Sequence, residues 1–276
     1  MIVNTQSILK DAREKGYGIA APNICNEITA RAAIETANEN KAPLILDLVF
    51  TSNPNIAILA KMIREMAEEV KIPVALNLDY CHSYEYALQA LSIGFSSVSL
   101  DCTDKTMTRN IKETSDIVEA AHALNASVEA QLGKVVSGED FKKQGVANYT
   151  DVNLVKNYVE KTKIDALSIA VGTARGYYKE AVNIDFDRIK KINEIAKIPL
   201  CLHGGSFTGV DNLKKAISLG VSKINLSTEL FTSANNYVFV NKDNLSRPDD
   251  IFKLYSDGYK EKLAYYMNVF GQCDRV

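Results

Sequence analysis

The 276-residue chain contains no tryptophan, only three histidines and six prolines, and no surplus of either charge: 32 Lys and Arg against 34 Asp and Glu leave a formal net charge of −2. A near-neutral balance without runs of like charge offers no electrostatic footprint for nucleic acid or an anionic lipid surface. No apolar stretch approaches the roughly 20 residues of a membrane-spanning helix. The amino terminus, MIVNTQSILKDAREKG, carries acids and polar groups too early for a signal peptide. A cytoplasmic protein is expected. The five cysteines are odd in number and widely spaced, in a chain too large to need covalent staples, so free thiols are expected. What is present, 46% hydrophobic and 24% charged residues, suffices for a substantial core.

Short apolar runs alternate with amphipathic ones along the whole chain. Strands are expected at 17–23, 43–48, 74–79, 97–101, 127–132, 166–171, 199–203 and 223–227. Between them, stretches such as EITARAAIETANEN and NIAILAKMIREMAEEV repeat apolar residues every three or four positions, the period of a helix. Strands apolar on both faces and followed by helices imply a parallel sheet covered by helices. ALSIGFSSVSLD (90–101) and AISLGVSKINLS (216–227) echo one another: a helix end, a glycine stop, then a strand. Their half-barrel spacing favours a closed (β/α)8 TIM barrel over a doubly wound open sheet. The expectation is one α/β barrel domain over 1–276, with an added amphipathic helix at about 248–270. The long charged loop 133–151 is a candidate lid.

A barrel works at the carboxyl ends of its strands. Those ends hold Asn23, Asp47, Asp79, Asp101, Glu129 with Gln131, the segment from Gly172, His203 and Asn225. The third strand delivers Asp79 followed by Tyr80, Cys81 and His82 in ALNLDYCHS. Two late turns, LHGGSF (202–207) and INLSTE (224–229), suit phosphate, because small residues let backbone N–H groups and helix dipoles approach an anion. The alternative is that the glycines only permit tight turns and the hydroxyls only cap helices. His122, on a helix after the fourth strand, has no assignable partner in the sequence.

From GIAAPN through NLDYCHSYEYALQALSIGFSSVSLD, VEAQLG, SGED and VGTARGYYK to LHGGS and KKAISLGVSKINLSTE, the chain resembles the class II, metal-dependent ketose-bisphosphate aldolases of the fructose and tagatose type. In that family zinc polarises the ketone of dihydroxyacetone phosphate, an aspartate moves a hydroxyl proton, and a loop glutamate exchanges the carbon-bound proton. The resemblance assigns proton transfer to Asp79 and Glu139. It assigns phosphate and substrate binding to Asn23, Gly176, Gly204, Gly205, Ser206 and the segment Asn225 to Thr228, with Ser227 in it. It also implies a homo-oligomer, a dimer or tetramer, and a phosphorylated sugar or related metabolite as substrate.

The departures are at the family's metal positions, here Tyr80, Arg175 and His203, of which only His203 can ligate. Guanidinium has no lone pair to give and stays protonated, and a phenol with a pKa near about 10 is a poor zinc ligand at neutral pH. No metal or other cofactor is therefore expected, although zinc is the family default. A relocated site using Cys81 with His82 or His203 would need adjacent side chains to converge. Arg175 can instead stabilise an enediolate, or simply neutralise Glu129 or Asp101; Tyr80 is a further candidate donor. Val49, Asp47 and Phe207 also differ from the family and alter the pocket wall. Three readings follow: a carbon–carbon lyase on a phosphorylated ketose without the usual zinc, a non-catalytic phosphosugar-binding or regulatory protein, and a metal-free isomerase or epimerase.

Overall fold

The computed structural model of the protein describes residues 1–141, 148–177 and 182–276. In chain order the strands are β1 (Ile19–Ile24), β2 (Leu44–Val49), β3 (Val74–Cys81), β4 (Ser97–Leu100), β5 (Ser127–Leu132), β6 (Val136–Ser137), β7 (Ala166–Ile169), β8 (Ala174–Arg175), β9 (Leu200–Leu202) and β10 (Val221–Leu226). The helices are α1 (Thr5–Lys15), α2 (Glu27–Glu39), α3 (Ile56–Glu68), α4 (Tyr84–Ser92), α5 (Met107–Ala123), α6 (Val152–Thr162), α7 (Phe186–Ala196), α8 (Val210–Ser218), α9 (Thr228–Val240) and α10 (Asp250–Val269). Eight parallel strands close in the order β1-β10-β9-β7-β5-β4-β3-β2, a (β/α)8 TIM barrel. β6 and β8 form a separate parallel pair beyond the carboxyl ends of β5 and β7. Of the loop 133–151, residues 142–147 lie outside the described residues.

Alternation along each strand sorts its side chains. Leu44, Leu46 and Leu48 of β2 and Val74, Leu76 and Leu78 of β3 join the large cluster shared with the helices. Their neighbours turn into the barrel, where the lower interior is apolar: Ile19, Ala21, Ile45, Ala75, Ala166 and Cys201. One layer higher the interior becomes polar while remaining buried, with Asp47, Asn77, Ser99, Glu129, Ser168 and Lys223. α1 closes the amino end of the barrel, packing Ile8, Leu9 and Ala12 on the lower layer. Its Thr5 hydroxyl meets the hydroxyls of Ser97 and Ser127 at 2.7 and 2.6 Å. The strand and helix pattern did not single out this plug.

α10 packs against α9 and α2. The buried Tyr259 hydroxyl donates to the Asn23 carbonyl at 2.7 Å, on the strand that opens the site. Just beyond α10, the Gln272 side chain accepts from the Ala20 N–H at 2.8 Å and donates to the Pro43 carbonyl at 2.6 Å. The tail is thus stitched to β1 and to the approach of β2. All five cysteines are free thiols. His122 does have a partner, Asp165, at 2.9 Å between Nε2 and Oδ2, because the loop before β7 passes beside α5. Among the described residues no helix is long and apolar enough to cross a membrane.

Candidate active site

A cavity of about 280 Å³ opens at the carboxyl ends of the strands. Asp79, at the end of β3, is on its floor and nearly buried. Its carboxylate accepts from the Asn23 amide at 2.9 Å and from the Asn225 amide at 3.1 Å. Three strands therefore fix one carboxylate. Asn23 and Asn225, expected to face substrate and phosphate respectively, both line the cavity, and both direct their N–H groups to Asp79.

His203, just after β9, sits beside this group with Nδ1 3.8 Å from Asp79 Oδ1. Its Nε2 lies 2.6 Å from Glu129 Oε1. Below, the fully buried Lys223 donates to Glu129 Oε2 at 2.9 Å and is 3.3 Å from Asp47 Oδ1. The Asn77 amide donates to the same Asp47 oxygen at 2.7 Å. Burial opposes charge on all three ionisable groups here. For Glu129 the field of Lys223 and the hydrogen bonds from His203 and Lys223 overcome it and hold the carboxyl well below its usual range. For Lys223, Asp47 and Glu129 overcome it and raise the ammonium above its usual value. For Asp47 burial prevails, reinforced by Asp79 and Glu129, and its carboxyl is pushed well above the ordinary carboxylate value despite Lys223. Two buried acids thus share one ammonium, and burial pulls Asp47 away from the charged form.

Lys223 escaped the reading of the sequence. The signal was there, a lysine two positions before Asn225 in the strand VSKINL, so that alternation turns both side chains to the same face.

The wall above is built from Tyr80 and Arg175. Tyr80 has φ 54°, the left-handed region that a tyrosine rarely occupies. That turn lays its ring over the Arg175 guanidinium, 4.3 Å from the ring centroid, while the ring edge meets His82. Arg175 comes from β8 and donates to Gln131 Oε1 at 2.7 Å and to the Val135 carbonyl at 3.1 Å, with Asp101 at 3.4 Å. Of the two carboxylates weighed as its partner, it meets Asp101; Glu129 belongs to Lys223 and His203. A guanidinium carries five N–H donors, so these three described acceptors leave capacity for a ligand oxygen.

The two expected anion turns meet at the cavity, the Ser206 hydroxyl against the Ser227 N–H. Gly176, Gly204, Ser206, Ser227 and Thr228 line the cavity. Gly176 has φ 85° and open space where a Cβ would stand, so its backbone is accessible. Gly204 and Gly205 have tighter reasons: a Cβ would lie 2.1 Å from the Ala174 carbonyl oxygen and 2.4 Å from Ile224, respectively. Gly205 itself is behind the lining. The Ser227 side chain makes no cap bond to α9; instead the Ser206 hydroxyl accepts from the N–H groups of Ser227 and Glu229 at 3.3 and 3.2 Å. The amino end of α9 is thereby turned to the cavity. Phe207 keeps φ 61°, a glycine-like conformation, and its N–H is taken by Glu229 at 3.0 Å. Glu229 is held in turn by the Tyr266 hydroxyl of α10 at 2.6 Å.

Glu139 lies in the exposed turn after β6 and does not line the cavity. Neither Cys81 nor His82 lines it: the Cys81 thiol donates to the Ser83 carbonyl at 3.0 Å and His82 Nδ1 meets the Asp101 carbonyl at 2.9 Å. The donor set at the family's metal position is a guanidinium, a phenol and one imidazole, which does not fit a catalytic zinc ion needing about three protein ligands. Among the described residues no group of three or more His, Cys, Asp or Glu side chains is arranged to hold a metal.

The barrel, the fixed acid on its third strand and the glycine turns late in it are the frame of an aldolase. The sequence model of class-II fructose-bisphosphate aldolases matches residues 3–275, and the chain belongs to that family. It is similar to the YdjI aldolase of Escherichia coli K12, with 29% identity, a TM-score of 0.89, and 100% of this chain and 99% of that one covered. It shares its fold with the fructose-bisphosphate aldolase of Campylobacter jejuni, at 20% identity and a TM-score of 0.82, with 100% and 97% covered.

Proposed function

We propose that the protein carries out aldol cleavage or condensation of a phosphorylated ketose without the family's zinc. The observation that carries this reading is the pairing, in one cavity, of the Asp79 carboxylate fixed by Asn23 and Asn225 with the Arg175 guanidinium. The amino end of α9 and the open Gly176 supply the anion seat for a phosphate. In the cleavage direction, Asp79 takes the proton of the hydroxyl next to the scissile bond. The carbon–carbon bond breaks, an aldehyde forms, and the electron pair passes to the ketone as an enediolate. Arg175 donates to that oxygen, and the carbon takes a proton delivered by Glu139 or by water. Donors placed where charge develops contribute about 10²–10³-fold in rate, which offsets part of the several kcal/mol lost with a Lewis acid.

The position of Glu139 outside the cavity favours a second reading, a phosphosugar binder without turnover. Incubation of dihydroxyacetone phosphate in deuterium oxide separates the two. Exchange of a carbon-bound hydrogen is expected for the native protein, and Asp79→Asn should leave exchange intact but abolish cleavage of ketose bisphosphates. Arg175→Met should slow both by about 100-fold. Tight phosphosugar binding with neither reaction would establish the binder instead.

A further inference from the structure

Beneath the cavity lies a group of side chains that the reaction above does not use. Glu129 is buried between two nitrogen donors, at 2.6 Å from His203 Nε2 and 2.9 Å from Lys223 Nζ. Lys223 is completely buried and has no acceptor role, since an ammonium only donates. Facing Lys223, Glu129 is an acceptor at both oxygens, and an acceptor at 2.6 Å requires the proton of a neutral His203 to be on Nε2. Nδ1 is then the lone-pair nitrogen. It is the nitrogen on the Asp79 side, and His203 lines the cavity.

We propose that Lys223 is a positioning residue of this site: through Glu129 it fixes His203 in the Nε2–H tautomer, so that Nδ1 accepts a hydroxyl of the bound substrate beside Asp79. The substrate class follows. The floor of the cavity presents a carboxylate and an adjacent nitrogen acceptor, a pair that selects a polyol segment with two neighbouring hydroxyl donors. A ligand with a ketone or carboxylate at that place would meet a second acceptor and be rejected. This role rests on the phosphoketose reading for the identity of the ligand, and on geometry alone for the tautomer.

The amide variant Glu129→Gln makes the test sharp. Glutamine has one acceptor oxygen; Lys223, with donors only, claims it. The NH2 group then faces His203 Nε2, which must accept, and the proton moves to Nδ1. Lys223 still has the Asp47 carboxyl 3.3 Å away, so its ammonium is not left without an acceptor.

Long-range ¹H–¹⁵N correlation spectra of the imidazoles read each tautomer directly in the ligand-free protein. With three histidines in the chain, His203→Gln assigns the signal. The native protein should show His203 protonated at Nε2 only, and Glu129→Gln should invert it. Lys223→Met should blur the single tautomer, and both variants should slow exchange of dihydroxyacetone phosphate at least tenfold while leaving the affinity for inorganic phosphate unchanged. A native His203 protonated at Nδ1, or a folded Glu129→Gln protein with the native tautomer, overturns the proposal. Should a variant fail to fold, the native spectrum still decides. A native spectrum as expected without any exchange would support the positioning of His203 and refute the aldolase-type reading, so the two fail separately.

Discussion

At the scale of single residues, the informative feature is the count of charges inside the barrel. Asp47, Glu129 and Lys223 are fully or almost fully buried together, with one ammonium between two acids whose burial disfavours charge. The two acids respond to pH in opposite directions. Glu129, lowered in the fold, adds stability above the unfolded carboxylate pKa of about 4.3 and loses it as pH falls toward its folded value. Asp47, raised in the fold, does the reverse: as pH climbs past about 3.9 the unfolded chain releases a proton that the fold retains, and stability declines. Asp47→Asn removes that loss. Its carbonyl still accepts from Asn77, and its NH2 replaces an oxygen, Oδ2, that has no hydrogen-bond partner among the described residues. Urea unfolding should show Asp47→Asn more stable than the native protein at pH 7 by on the order of 1–2 kcal/mol, with the difference vanishing near pH 4. A variant destabilised at pH 7 would mean that Asp47 is ionised and held by Lys223.

At the scale of elements, the ends of two strands, β3 and β8, set the wall of the cavity. Tyr80 occupies a left-handed position directly after Asp79, and Arg175 arrives on the short strand β8, locked to Gln131 and Val135. The two side chains face one another as ring and guanidinium, at the positions where the family resemblance implies two imidazoles beside that of His203. The double variant Tyr80→His, Arg175→His should therefore gain stoichiometric zinc on dialysis, measured by elemental analysis, while each single variant gains little. If the double variant stays zinc-free, the strand ends themselves have moved away from a metal-binding arrangement. Much of this layout was legible in the sequence, because the period-two alternation and the Gly-rich turns are local signals. The partners of Arg175 were not. Asp101 and Glu129 were both candidates, and only the register of β4 on β5 and the inward turn of Lys223 separates them.

At the scale of the molecule, the eight strands and the tail helix were readable because each is a periodic segment bounded by turn residues. The plug α1 and the stitches from α10 were not, since they depend on contacts between distant positions, such as Thr5 to Ser127 and Tyr259 to Asn23. Those stitches matter to the site: Tyr259 steadies the strand end that carries Asn23, and Tyr266 steadies Glu229 under the anion turn. In the proposed reading, the barrel brings an acid, a cation and an anion seat to one mouth, with the cation supplied by the protein. The most direct test is the rate of dihydroxyacetone phosphate hydrogen exchange, measured on one preparation with a strong chelator and again with added zinc. Equal rates in both are predicted. A rate that falls to background with chelator and returns with zinc would contradict the assignment of the electrophile to Arg175.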